Sequence, residues 1–319
     1  MVGRVTAATD VKAGYSYLVY GMNIVSEIPC PELPLGNGDP EVHIRFGRVA
    51  PFGKDAKRKA LEYMIEPDRI RFSIKGAGTY AIQKGNQIVV DPDDRATADE
   101  IRFYLINSAL SVAMYQKGLL VIHGSVIETP SGAVVFGGES GVGKSTLAAM
   151  FKTRRYKVLS DDVCVVSNLD QESVVWPAYP QIKLGDDSVG FLNLDMEKSP
   201  GPHQPIDNKS VIPLEKSYRN KELTLFCFYE IGKTDQSEIS LKPLKGIHKF
   251  LTIMKHIYRV QILGDTAFLK QLSVMAAQTA GNIEVKKVFR PDSTKITGEL
   301  ADFIEKDLEI CQKATQKNR

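Results

Sequence analysis

The chain of 319 residues lacks most features that would take it out of the ordinary globular class. Its four cysteines, Cys30, Cys164, Cys227 and Cys311, are scattered with no C-x-x-C pair, which argues against a zinc site or a disulfide framework. No run approaches the about 18 apolar residues of a membrane helix, and the start, MVGRVTAATD, lacks the apolar segment of a secretory signal. The expectation is a cytoplasmic protein with no membrane partner. Charge of one sign is not in excess: 41 basic residues face 38 acidic ones, too even a balance for a general nucleic-acid binder, so no nucleic-acid partner is expected. Internal repeats and low-complexity tracts are absent. With 43% hydrophobic and 25% charged residues the chain can bury a core, and its length favours two domains, or one large domain with an appendage.

What is present falls into two halves. Between residues 16 and 92, runs such as YSYLVYGMNIV, VHIRFGRV, RIRFSI and QIVVDP alternate with Gly, Pro and Asp turns and predict a β-rich unit. PCPELPLGNGDP, residues 29–40, predicts a loop. From Thr97, a suitable N-cap, TADEIRFYLINSALSVAMYQKG puts Ile101, Leu105, Ala109, Val112 and Ala113 on one helix face and stops at Gly118. The expected fold is α/β. A smaller β-rich (α+β) domain, 1–96, is followed by a connecting helix, 97–118, and a P-loop domain with a mixed sheet, 119–319. Within the last, helices are expected at about 246–258, 266–281 and 293–314, and the Pro- and charge-rich stretch 195–213 predicts a mobile loop.

The segment that carries chemistry is FGGESGVGKST. Gly138-Glu139-Ser140-Gly141-Val142-Gly143-Lys144-Ser145 fits G-x-x-x-x-G-K-[ST], with the strand AVVF before it and a helix from about Lys144 to Arg154 after it. Backbone amides of such a turn, together with the positive end of the helix dipole, suit a polyphosphate; the loop is expected to run on to Thr146. Lys144 would reach the β and γ phosphates of ATP, and the Ser145 hydroxyl would ligate Mg²⁺. A glycine turn that merely tightens a βα connection has no packing use for a lysine.

Beyond the helix, YKVLS ends in Asp161 and Asp162. A right-handed crossover brings the end of that strand to the sheet edge that carries the loop. Adjacent carboxylates can divide two tasks, one holding Mg²⁺ and one taking a proton from an attacking hydroxyl, although an Asp pair also opens turns. If the strands on either side of TPSG form a hairpin, Glu128 faces Ala133 and His123 faces Gly138. His123 then stands at the mouth of the loop, where it could touch a phosphate, tune an aspartate, or serve only as a structural histidine.

The run HGSVIETPSGAVVFGGESGVGKSTLA followed by LSDDV resembles the HPr kinase/phosphorylase family, P-loop protein serine kinases related more distantly to ATP-dependent phosphoenolpyruvate carboxykinases. The resemblance implies Asp161 as general base and acid and Asp162 as metal ligand with Ser145, with His123 and Lys144 as catalytic partners. Directly after the loop serine this chain has Thr146 where bifunctional members are acidic, which speaks against phosphorolysis. YGMNIVSEIPCPELP and the helix leading to KGLLVIHGS are similar to the HPr-kinase-like enzymes of lasso-peptide biosynthesis. That similarity implies a ribosomal precursor peptide as partner, phosphorylated on its terminal serine. Lys183 in PQIKL and Lys209 in DNKS look like basic positions of the family, with solvated surface lysine as the default for both. A small-molecule kinase and a nucleotide-sensing binding protein are the competing functions. A homo-oligomer is compatible with all three.

Overall fold

Burial with a period of two builds the first sheet: Tyr17, Val19, Met22, Ile24 and Ser26 point inward while their neighbours face outward. The computed structural model of the chain describes residues 14–52, 57–58, 62–192, 209–260, 263, 267–293 and 296–317. Strands β1 (Tyr15–Val19), β2 (Met22–Ser26), β3 (Val42–Phe46), β4 (Lys57–Arg58), β5 (Glu62–Glu66), β6 (Arg69–Ile74), β7 (Gly78–Gln83) and β8 (Gln87–Pro92) form one sheet in the order β1-β2-β3-β8-β7-β6-β5-β4. All neighbours are antiparallel except β2–β3 and β3–β8. The proline-rich segment 29–40 carries no strand, as its composition predicts; Leu35 alone bridges to Tyr17.

Thr97 caps the next element through a reciprocal box with Glu100: the Glu100 amide donates to Thr97 Oγ1 (3.2 Å) and the Thr97 amide to Glu100 Oε2 (2.8 Å). Helix α1 (Ala98–Tyr104) passes through a π-helical turn, Leu105–Ala109, into α2 (Leu110–Gln116), and Gly118, at φ +77°, ends it. The expected one-sided stripe is replaced by burial without a break from Leu105 to Tyr115. The reason is position: the helix lies between the two halves, bound to Tyr80 on one side (hydroxyl to Ile101 O, 3.0 Å) and to Val121 O and Tyr258 O through Tyr115 on the other. One hydrophobic cluster runs from Tyr17 to Val285, so the halves share a core.

The second half begins with a hairpin of β9 (Leu120–Thr129) and β10 (Gly132–Gly138), followed by α3 (Lys144–Thr153), β11 (Val158–Ser160), β12 (Val163–Leu169) and β13 (Glu172–Trp176). Then come β14 (Gln181–Leu184), α4 (Asp186–Phe191), β15 (Ser210–Pro213), β16 (Leu223–Thr234), β17 (Ser240–Pro243), α5 (Ile247–Lys255), α6 (Ala267–Asn282), β18 (Glu284–Pro291) and α7 (Thr297–Lys317). The sheet order is β10-β9-β12-β13-β16-β18-β17, and β10 also lies parallel beside β16, so pairing closes into a ring. β9 is antiparallel to both β10 and β11; β11 therefore runs parallel to β10 and ends at the same sheet edge. Of the loop expected at 195–213, residues 195–208 lie outside the described residues, and 210–213 are β15, a strand paired antiparallel with β14 rather than loop. The molecule is thus a mixed α/β protein, and among its described residues no helix is long and apolar enough to cross a membrane.

Gly21, at φ +75°, closes the turn between β1 and β2, and the Trp176 ring lies 2.2 Å from where its β-carbon would stand. Gly21→Ala combines a positive φ with overpacking and is expected to remove about 2 kcal/mol of stability or more. The check is a lower urea midpoint followed by the fluorescence of Trp176, the chain's one tryptophan.

Candidate functional site

Glycine shapes the turn after β10 by allowing close approach. A side chain at Gly137 would strike the Phe228 ring (2.1 Å), and one at Gly138 would meet Ile231 O (2.6 Å) and Val142 Cγ1 (2.7 Å). Gly141 and Gly143 are left-handed, at φ +78° and +99°. α3 then starts at Lys144 with no side-chain cap, which leaves its first-turn amides directed at the mouth of the loop. Lys144 is 7% exposed and donates to the carbonyls of Gly138 and Glu139, both at 3.0 Å. Burial lowers its pKa, while the charges of Asp162 and Asp161 oppose the shift. Arg290 pins the loop from β18 by donating to Val142 O (2.9 and 3.2 Å), Pro291 O (2.8 Å) and Ser293 O (3.2 Å).

The two aspartates interrupt a strand rather than end one. β11 and β12 follow the same neighbour, β9, in matched register, Ser160 opposite Val126 and Val163 opposite His123. Between them Asp162 adopts φ +73°, and the Val163 amide donates back to Asp161 O at 3.0 Å, a tight γ-turn that few non-glycine residues enter. The two carboxylates consequently see different surroundings. Asp161 is sealed: Ser125 Oγ donates to Oδ1 (2.6 Å) and the Lys183 amide to Oδ2 (2.9 Å), with the Ser145 side chain close by. Burial, and then the charge of Asp162, raise its pKa against these hydrogen bonds.

Asp162 is 23% exposed and sits 3.6 Å from His123 Nε2, contact rather than a hydrogen bond. Burial, then the Lys144 charge, push His123 down to about 4, with Asp162 opposing, so the imidazole is neutral at pH 7. The hairpin register runs from Ala133 opposite Glu128 to Gly137 opposite Gly124, which puts His123 one position beyond, at Gly138, where counting placed it. Its amide donates to His256 O (2.8 Å), and its ring tilts against Tyr258.

The remaining predicted positions scatter around this centre. Thr146 Oγ1 hydrogen-bonds Ser188 Oγ at the start of α4 (2.8 Å), and Glu139 points outward toward Lys255 Nζ (3.8 Å). Val142 is buried and Ser140 lines a cleft of about 390 Å³ with Glu230, Lys233, Lys255 and Lys287. Across the loop a second cleft, about 450 Å³, is bounded by Gly141, Gly143, Thr146, Asp186, Ser188 and Arg290. Lys183 is not the solvated lysine expected: it is 3% exposed, with Nζ over the Phe103 ring at 5.1 Å. Lys209 is half-buried directly before β15, and its charge reaches both His123 and Lys144.

Three residues of the site escaped the sequence reading. Ser125 was within reach of it, since it lies two positions beyond His123 on the same strand face. Arg290 and Glu230 were not, because strands far along the chain bring them in. Glu230, beside Gly137, accepts from His256 Nε2 (3.2 Å) and Lys255 Nζ (3.0 Å) and forms an ion pair with Lys287 Nζ at 3.4 Å. The His256 hydrogen bond above all, then Lys255 and Lys287, hold Glu230 down to about 2 against its burial.

No family model matches the chain, and no curated protein sequence matches it. Among solved structures, the Hpr(Ser) kinase/phosphatase from Coxiella burnetii is similar over 60% of this chain and 98% of its own, with 11% sequence identity and a TM-score of 0.36.

A carboxylate with a depressed pKa contributes stability that is complete above its ordinary range and lost as pH falls toward the folded value. Glu230→Gln is therefore expected to be less stable than the parent at pH 7, by on the order of 1–3 kcal/mol. That difference should shrink below pH 4.5 and largely vanish near pH 2, the folded value being about 2. Denaturant midpoints of both proteins at pH 7, 5 and 3 check it, and a difference independent of pH contradicts it.

Proposed function

We propose that the chain is an ATP- and Mg²⁺-dependent kinase that phosphorylates a serine hydroxyl of a peptide, the terminal serine of a ribosomal precursor peptide being the substrate of choice. The observation that carries this reading is the convergence of Lys144, Ser145, Asp161 and Asp162 at one sheet edge. Left-handed glycines and an uncapped helix start favour a polyphosphate there. The cleft bounded by Gly143, Thr146 and Arg290 has the size of a small-ligand pocket and would receive the nucleoside.

The donors suit Mg²⁺. Ser145 and Asp161 offer hard oxygen ligands, and Mg²⁺ is commonly held by one or two carboxylates plus substrate phosphates. Among the described residues no group of three or more His, Cys, Asp or Glu side chains could hold a metal alone. When bound, the ion would offset charge on the transferred phosphoryl group.

Surroundings divide the carboxylates. Asp161, sealed by Ser125 and Lys183 and close to Ser145, is suited to hold the serine and the metal side of the site. Asp162, partly open and beside a neutral imidazole, is suited to take a proton, the reverse of the order that the family resemblance implies. In the transfer, the acceptor hydroxyl gives its proton to Asp162 as its oxygen bonds the γ-phosphorus. The bond from that phosphorus to the β–γ bridging oxygen breaks, and ADP leaves with the electron pair. Lys144 and the loop amides stabilise the charge on the transferred group.

Incubation with labelled ATP and peptides carrying terminal or internal serines, read by mass spectrometry, tests the reading. Phosphoserine is expected. Tight ATP binding with no transfer to any hydroxyl would instead favour a nucleotide sensor. Asp162→Asn should lower transfer about 10²–10⁴-fold with ATP affinity nearly unchanged, whereas Asp161→Asn should weaken Mg²⁺-dependent ATP binding as well; the opposite pattern restores Asp161 as base. Lys144→Ala should reduce nucleotide affinity and transfer together.

A further inference from the structure

A two-residue hairpin turn ordinarily faces water. The turn between β1 and β2, Tyr20–Gly21, has both residues left-handed, at φ +54° and +75°, the backbone of a tight hairpin. Yet it is driven into the other half of the molecule. Tyr20 is 1% exposed, its amide donates to Pro177 O (2.9 Å), and the Trp176 ring covers Gly21. The next residue but one in that strand exit, Ala178, donates to Leu159 O (3.0 Å) on β11, the strand that runs into Asp161 and Asp162. Backbone hydrogen bonds thus tie the hairpin tip to the catalytic kink through a single short segment.

The side chain at this tip is anomalous. The Tyr20 hydroxyl is buried and has no hydrogen-bond partner among the described residues, a situation that costs about 1–3 kcal/mol and that phenylalanine would avoid. Burial raises its pKa well above the usual tyrosine value, so it stays a donor, and the Asp162 charge acts in the same direction. The second sealed tyrosine in the same field, Tyr179, is accounted for by its bond to Asn107 Oδ1 (3.4 Å). Tyr20 alone of the two carries a hydroxyl that packing does not use.

We infer that Tyr20 is a positioning residue of the transfer site: its hydroxyl braces Asp162 from the interior when ligands fill the site, so the amino-terminal sheet supplies part of the machinery. The consequence for rate rests on the kinase reading above; the link between ligand and hairpin tip does not.

Tyr20→Phe separates this role from a structural one. A hydroxyl without a partner predicts a melting temperature equal to the parent's or higher. The positioning role predicts a kcat at least tenfold lower, with KM for ATP and peptide within about twofold. Unchanged kcat, or a melting temperature that falls along with kcat, overturns the inference. If the parent protein transfers no phosphate, the kinase reading fails and the inference is decided by Trp176 emission on adding Mg·ATP. A change in the parent that Tyr20→Phe loses supports it; equal changes, or none in either protein, overturn it.

Discussion

The arrangement depends on one buried carboxylate. Asp161 receives hydrogen bonds from two separate elements, Ser125 on β9 and the backbone amide of Lys183 on β14, with Ser145 on α3 close by. Hydrogen bonds to a charged acceptor contribute about 1.5–3 kcal/mol each. An ionised group without them would not tolerate the interior. These bonds hold Asp161 at the point where β11 gives way to β12. The neighbouring residue absorbs the consequence. In a regular strand Asp161 and Asp162 would point to opposite faces; the left-handed turn at Asp162 breaks that alternation locally while Ser160 and Val163 share one register on β9, after a shift between Val158 and Ser160.

Much of this was legible in the sequence wherever a local rule sufficed. The glycine loop with its flanking strand and helix follows from spacing. The position of His123 follows from a short hairpin turn, which sets register along the whole of β9 and β10. What was not legible depends on elements distant in sequence. Nothing in LINSALSV announces burial on every side, which arises because two sheets close over one helix. Lys183 reads as a surface residue until Phe103, on that helix, provides a ring for its ammonium. The Asp pair reads as a strand end because left-handed backbone at an aspartate has no sequence signature beyond a mild preference.

The hairpin tip at Tyr20 extends the same point to the division of the chain. Composition separates a β-rich half from an α/β half, but the hydrophobic cluster crosses between them, and the tip meets Pro177 and Trp176 beside the strand that carries the aspartates. The tip is held against the exit of β13 by one backbone hydrogen bond and the indole ring, and the next residue of that exit bonds β11.

Charge explains why the loop is flanked by so many paired groups. Two adjacent carboxylates at one sheet edge oppose the approach of a polyphosphate, and their repulsion contributes to the raised pKa of Asp161. Lys144 and Lys209 offset them on one side, and their combined field helps keep His123 neutral. On the other side Lys255 and Lys287 would add two more cations next to the loop, but both face Glu230, which remains ionised well into the acid range. Glu230 thus offsets one of these two charges, and the pairing holds both ammonium groups beside the loop rather than over it.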